Sequence, residues 1–329
     1  MVPEQTQNNA PLLAVFMAAY NHEKYVAQAI ESILMQQTNF RFVLFLGEDC
    51  SKDKTRAICL EYERKYPDIL KVICTKENNI RQNADNLWRA CHESGAKYLA
   101  MLEADDYWTD PHKLQKQVDF LEANSDFSFC FTAIDVVDET GGQQVNKKHT
   151  RKFDNDVLTI EDFILAYVSL AHWATIVMRN IMPYPMPEFY YRAFSGDVFT
   201  TIVLADKGKV KYFPEVSAIY RNHAGGWTKT KNTITKSNDK LMELYRNLDE
   251  YFGFKYHKLF SQRFLANAKV QLIFGAKDLK GIARLKHYFR VFPEYLKYLD
   301  KVNLKEMIYY HVVLFAPFLL RFFKEPVEE

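Results

Sequence analysis

The sequence predicts an α/β fold, a mostly parallel sheet flanked by helices, followed by a C-terminal helical region. Two observations carry this. Between Leu12 and Asn124, four short apolar runs alternate with segments of helical spacing. From about Ile234 onward, strand-like runs give way to helical spacing rich in Tyr, Phe, Leu and Lys. The expected division is residues 1–232 as an α/β domain and residues 233–329 as a helical region.

"LLAVFMAAY" (Leu12 to Tyr20) is apolar nearly throughout, as a strand covered on both faces should be. Asn21 reads as the N-cap of a helix whose apolar stripe is Val26, Ile30, Ile33 and Leu34. "FRFVLFLGED" (Phe40 to Asp49) is the second strand, with "CSKDKT" as a turn and a helix to about Tyr66. "ILKVICT" is the third strand, and Asn83 to Ser94 a helix closed by Gly95. "KYLAML" is the fourth, running into Glu103, Asp105 and Asp106, with Asp110 and Pro111 opening the next helix and Leu114, Val118 and Leu121 as its stripe.

Beyond Asn124, "FSFCFTAIDVVDE" reads as a strand before a Gly141–Gly142 turn, and the basic stretch Lys147 to Lys152 as a solvated face. Thr159 and Asp162 have capping-box spacing at the start of a short helix. "HWATIVMR" is expected as a strand, "GDVFTTIVLADKG" as a helix, and "KVKYFP" and "SAIYRNH" as two closing strands.

The chain carries 43 Lys and Arg against 41 Asp and Glu, a net charge of +2, which gives no sign of nucleic-acid binding. Five scattered cysteines without CxxC spacing suit reduced thiols in the cytoplasm. The polar start "MVPEQTQNNAP" predicts no secretory leader. "EMIYYHVVLFAPFLLRFFK" is interrupted by His311, Pro317 and Arg321 and falls short of the ~20 clean apolar residues of a span. It reads as a packing helix, with peripheral contact at the inner face of the membrane as the sharper alternative.

Chemistry concentrates where strands should end. Glu103, Asp105 and Asp106 repel one another unless something compensates, and hard oxygen ligands suit Mg²⁺ or Mn²⁺. His223 would add an imidazole and tilt the choice toward Mn²⁺. Tyr20 offers a ring face to a base, and Asp49 an acceptor for an imide N–H. Asp197, after Ser195-Gly196 at a helix start, could act as a general base. Singly, each also fits a structural role: Asp49 or Asp197 as a helix cap, Tyr20 as core, His223 as a surface or core histidine.

Taken in order, "VFMAAYNHEKYVAQAIESILMQQ", "FLGEDCSKDKT", "LEADDYWTDPHKLQKQVDFLE", "SGDVF" and "YRNHAGG" resemble family-2 glycosyltransferases of the GT-A fold, the bacterial surface-polysaccharide type. The resemblance covers about Leu12 to Trp227. It implies an inverting transferase that moves a sugar from a nucleotide-sugar donor, a UDP-sugar first, to a glycan or lipid-linked acceptor. It further implies that Tyr20 stacks on the base with Asp49 bonded to it, Glu48 beside them and Arg81 near the base or diphosphate. Asp105 and Asp106 would bind ribose and metal, His223 would complete the metal or diphosphate site, and Asp197 would deprotonate the acceptor. Glu48 and Glu103 stand where the family has Asp. Glu103 keeps a non-catalytic sugar-nucleotide or glycan-binding protein open as a rival. A nucleotidyltransferase or a dinucleotide enzyme is disfavoured because "AAYNHEKY" has no glycine.

Overall fold

The structure, a computed structural model, describes residues 10–139, 145–149, 153, 155–166, 169–193, 195–226, 234–273, 286 and 289–293. The chain divides into two compact units, Met1–Asn232 and Thr233–Glu329.

The first unit opens with β1 (Leu13–Ala19), α1 (Val26–Leu34), β2 (Phe42–Glu48), α2 (Thr55–Lys65), β3 (Leu70–Cys74), α3 (Ile80–Glu93) and β4 (Tyr98–Glu103). The four strands pair in parallel in the order β3-β2-β1-β4. Ala19 of β1 is opposite Glu48 and Ala18 is opposite Glu103, so three strands finish level with one another. Leu13, Val15 and Met17 of β1 are fully buried, as are Ala14 between them and Tyr98 to Leu102 of β4. That two-sided burial is why these runs lack polar alternation.

The chain continues through β5 (Tyr107–Trp108), α4 (Lys113–Ala123), β6 (Phe127–Asp138), β7 (Val145–His149), β8 (Val157–Leu158), α5 (Ile160–Leu165), β9 (Val177–Arg179), α6 (Gly196–Lys207) and β10 (Lys209–Asn222). The sheet extends from β4 through β9, β6 and β10 to β5. β9 is antiparallel to β4 and β6, whereas β6 and β10 run parallel. The sheet is therefore mixed, with its parallel part in the first half of the chain. β10 pairs antiparallel with β5, Ala218 opposite Trp108 and Ile219 opposite Tyr107, which carries residues 221–223 back beside Asp105 and Asp106.

Several local expectations are corrected. Asn21 does not cap α1; it takes φ 55°, and the helix starts at Val26. Short polar Asn tolerates the left-handed region, and here its Oδ1 accepts from Lys52 N at 2.8 Å. α3 begins three residues early, capped by Asn79, whose side chain accepts from Gln82 N. α4 begins at Lys113, while Asp110 Oδ1 binds His112 N in the turn before it. "HWATIVMR" splits into a 3₁₀ turn over Trp173–Thr175 and the three-residue β9. Part of the basic stretch forms β7, antiparallel to β6. The last two expected strands are one, β10, whose register shifts between Phe213 and Val216, around Pro214, which has no N–H to give a ladder. The Gly141–Gly142 turn lies outside the described residues. The capping box at Thr159 and Asp162 and the left-handed Gly95 after α3 form as expected.

Gly47 marks where α3 presses closest to the sheet. A Cβ there would lie 2.3 Å from Asn83 Oδ1 and 2.7 Å from Leu87 Cδ1. Asn83 Nδ2 also donates to Gly47 O at 3.1 Å, so the side chain cannot simply swing away. Gly47→Ala should destabilise the fold by ~1–3 kcal/mol. Urea unfolding read by far-UV circular dichroism checks this, and an unchanged midpoint would refute the tight packing.

In the second unit, helices over Ile234–Tyr251 and His257–Ile273 meet through Tyr245 and Phe260, whose ring centroids lie 6.1 Å apart. Among the described residues no helix is long and apolar enough to cross a membrane. The apolar segment from Glu306 to Lys324 lies outside them.

Candidate active site and metal centre

The level ends of β1, β2 and β4 place Tyr20, Asp49 and Asp105 in successive loops along one edge of the sheet. The loops are bound to one another. Asn21 N donates to Ser51 Oγ at 3.0 Å, His22 N to Thr55 Oγ1 at 2.7 Å, and Glu23 N to Asp53 Oδ2 at 3.0 Å. Lys54 N returns a bond to Glu23 Oε2 at 3.0 Å. The polar run 51–55 therefore acts as a brace that fixes the loop after β1, with His22 at its centre.

After β4 the chain turns sharply, Asp106 N donating to Glu103 O at 3.1 Å. Asp105 keeps some exposure, while Asp106 is 1% exposed. Asp105 Oδ2 lies 3.1 Å from His223 Nε2 and 3.7 Å from His22 Nε2. One ligand atom from each of His22, Asp105 and His223 falls within 4.8 Å of the others, a spacing that could hold one metal ion. Two imidazole nitrogens and a carboxylate oxygen suit Mn²⁺ and its transition-metal neighbours better than Mg²⁺. Burial pushes the His22 imidazole below its ordinary value, against the opposing pull of Asp105. That favours the neutral ring, the form that ligates.

The three carboxyls differ sharply. Burial pushes Glu103 well above the usual carboxylate range, and the charges of Asp105 and Asp197 push it further. Burial and then the Asp105 charge push Asp106 up likewise. Burial also works to raise Asp105, but the hydrogen bond from His223 and the two imidazoles together bring it below the ordinary value. One ionised carboxylate between two that are driven toward the protonated form is how the cluster avoids like-charge repulsion.

Arg221 is the bolt beneath this turn. Its backbone N donates to Asp106 Oδ1 at 2.9 Å, its guanidinium donates to Asp105 O and Gln28 Oε1, and it lies 3.3 Å from Glu139. The guanidinium sits between the rings of Tyr25 and Tyr107, 4.7 and 4.8 Å from their centroids. Asp106, expected as a metal ligand, is thus held by Arg221 and is not among the three grouped ligand residues.

The other expected residues divide. Tyr20 is half-buried directly after β1. Asp49 accepts from Thr75 Oγ1 and Asn79 N on Oδ1, and from Asn78 Nδ2 on Oδ2. A carboxylate oxygen accepts two bonds, so Oδ2 keeps capacity for a ligand N–H. Glu48 is fully buried, accepting from Ser51 N at 2.7 Å and from Arg56 Nε, which makes it a support for the loop. Arg81 is not gathered with the others. It is exposed on α3 and forks onto Glu188 at 2.6 and 2.7 Å, a planar pairing that takes up the guanidinium. Asp197 occupies the first turn of α6, with Ser195 Oγ donating to its Oδ1. Its charge adds to the upward push on Glu103. His22 and Arg221 were missed by the sequence reading. Their signal, a histidine and an arginine in two quoted motifs, acquires meaning only once β10 returns beside β5.

Protein Rv1520 of Mycobacterium tuberculosis (strain ATCC 25618 / H37Rv) is 29% identical over 217 residues, 65% of this chain and 60% of that protein. EpsE of Bacillus subtilis (strain 168), named as a glycosyltransferase, is 35% identical over 134 residues, 41% of this chain and 47% of its own. TuaG of the same organism, named for teichuronic acid biosynthesis, is 31% identical over 134 residues, 41% of this chain and 51% of its own. The matches thus span about half to 60% of the relatives' length. Among solved structures, S. aureus TarS 1-349 in complex with UDP-GlcNAc has a TM-score of 0.61 at 14% identity, covering 92% of this chain and 86% of that one. The mannosyltransferase PcManGT from Pyrobaculum calidifontis, in complex with GDP-Man and Mn2+, has a TM-score of 0.55 at 14% identity, covering 96% of this chain and 88% of that one. At such identities they speak for the GT-A fold alone. Residues 14–178, just over half the chain, match the family described as Glycosyl transferase family 2, and the chain belongs to that family.

Proposed function

We propose that the chain is a metal-dependent, inverting glycosyltransferase that moves a sugar from a nucleotide-sugar donor, a UDP-sugar first, to a glycan or lipid-linked hydroxyl in surface-polysaccharide synthesis. The observation that carries this is the His22–Asp105–His223 cluster on the strand-end edge. The names of TarS, PcManGT and TuaG support the donor class and the setting. Mn²⁺ or Mg²⁺ held by the three side chains would supply neutralisation of the charge developing on the leaving diphosphate.

The remaining steps belong to the chain. Tyr20 and Asp49 Oδ2 would seat the base. Ser195 occupies Oδ1 of Asp197, leaving Oδ2 to take the acceptor's hydroxyl proton. The acceptor oxygen then bonds to the anomeric carbon as the bond to the diphosphate oxygen breaks on the opposite face, with inversion. Peripheral attachment at the inner membrane face, where a lipid-linked acceptor would be met, belongs to the same proposal.

A screen of UDP-, GDP- and dTDP-sugars with and without Mn²⁺ tests it, reading thermal stabilisation and nucleoside diphosphate release. A ligand at about 100 times its Kd adds ~2.7 kcal/mol to apparent stability. One donor should stabilise the chain only with Mn²⁺ and release its diphosphate. Stabilisation without release, in every acceptor mixture, would turn the reading to a binding protein.

A further inference from the structure

One face of α3 grips the segment that leads to Asp197. Arg81, Asp85 and Trp88, spaced four and three residues apart, point to one side of the helix. Arg81 pairs with Glu188 and lies 5.1 Å over the ring of Tyr191; Tyr191 Oη donates to Asp85 Oδ1 at 2.5 Å. Trp88 Nε1 donates to Tyr190 Oη at 2.8 Å. The first pair is exposed and weakened by water. The last is buried on both sides, Trp88 at 3% and Tyr190 at 9% exposure.

Tyr190 in turn touches the residue before Asp197. A Cβ on Gly196 would lie 3.4 Å from Tyr190 Oη and 3.5 Å from its Cε2, so the ring edge rests on the first turn of α6. The same ring packs on Phe199, one turn along, at 5.0 Å between centroids. An indole N–H can only donate, so Trp88 fixes the phenol oxygen as an acceptor and sets where the ring stands.

We infer that Tyr190, locked by Trp88, is a positioning residue that sets the reach of Asp197 toward the acceptor hydroxyl. Neither aromatic needs to touch substrate. The inference rests on the reading of Asp197 as the base. α3 is capped by Asn79, whose backbone N donates to Asp49 Oδ1, so in this reading a single rigid helix runs from the nucleotide end of the site to the support of the base.

Tyr190→Phe and Trp88→Phe each remove one side of the bond and keep an aromatic ring. Either should lower kcat for diphosphate release from the donor roughly 10–100-fold, as a small misplacement of a reacting group does, with the donor KM unchanged. Combined with Asp197→Asn, neither should lower the rate further, because the group it positions is gone. Hydrogen exchange over residues 195–201, which needs no substrate, should quicken about fivefold or more in both variants. Normal exchange, or losses that add to that of Asp197→Asn, would overturn the positioning role while leaving the base intact. A near-normal rate in Asp197→Asn alone would instead sink the base assignment. A raised donor KM in both aromatic variants would mean general loosening and count against the inference.

Discussion

Asp197→Asn should cut transfer by ~10²–10⁴-fold while leaving Mn²⁺ and donor affinity within about twofold of the parent. Asparagine keeps the size of the side chain and can still accept from Ser195 Oγ, so the first turn of α6 should hold. What it loses is the ability to take a proton. In the proposed reading the donor would be held by Asp49 and the His22–Asp105–His223 cluster, so its binding should survive. The check is turnover beside calorimetric titration of the donor. Near-normal turnover would leave Asp197 as a helix-terminal residue, and the base would then have to be found elsewhere.

Asp105→Ala should have the second-largest effect, removing the metal-dependent part of donor binding altogether. It is the sole carboxylate of the cluster and lies within 3.7 Å of both imidazoles. Without it His22 and His223 would leave two imidazoles with no anion between them, a poor site for a hard or borderline cation. The fold should stand, because Asp105 holds Arg221 through its backbone oxygen, not its carboxylate. Asp106→Ala should behave in the opposite way. It leaves the backbone N–H of Arg221 buried and unpaired, which costs ~1–3 kcal/mol in stability, and it does not remove a ligand from the cluster. Thermal denaturation of both variants with and without Mn²⁺ separates the two roles. If Asp106→Ala abolished the metal response and Asp105→Ala kept it, the two assignments would have to be exchanged.

Much of the first half of the fold could be read in advance because its signals are local. β1, β2 and β4 are short, largely buried runs, β3 at the sheet edge buries only Leu70, and the helix α4 shows its own stripe in Leu114, Val118 and Leu121, all essentially buried. The elements that escaped depend on partners distant in sequence. β9 is three residues long and exists because β4 and β6 flank it. β7 has a polar, basic sequence and is a strand because β6 offers it a ladder.

The site follows the same division. Asp105, His223 and Asp197 were visible as unusual residues at strand and helix ends. Their grouping was not, since a pairing 118 residues apart brings His223 to Asp105. His22 looked like one polar residue among several in a loop. Only the brace from Ser51, Asp53 and Thr55 turns that loop so that its ring meets Asp105. Arg81, which the resemblance places near the base or diphosphate, forks onto Glu188, 107 residues away, a pairing no local signal announces.

The most direct test is pulsed electron paramagnetic resonance of one equivalent of Mn²⁺ bound to the chain in the presence of UDP. The account predicts nitrogen couplings from two imidazoles together with phosphorus couplings from the diphosphate, with one nitrogen coupling lost in His22→Ala and the other in His223→Ala. Phosphorus couplings without any imidazole nitrogen would contradict it, because the metal would then be held by the nucleotide and not by the cluster at the sheet edge.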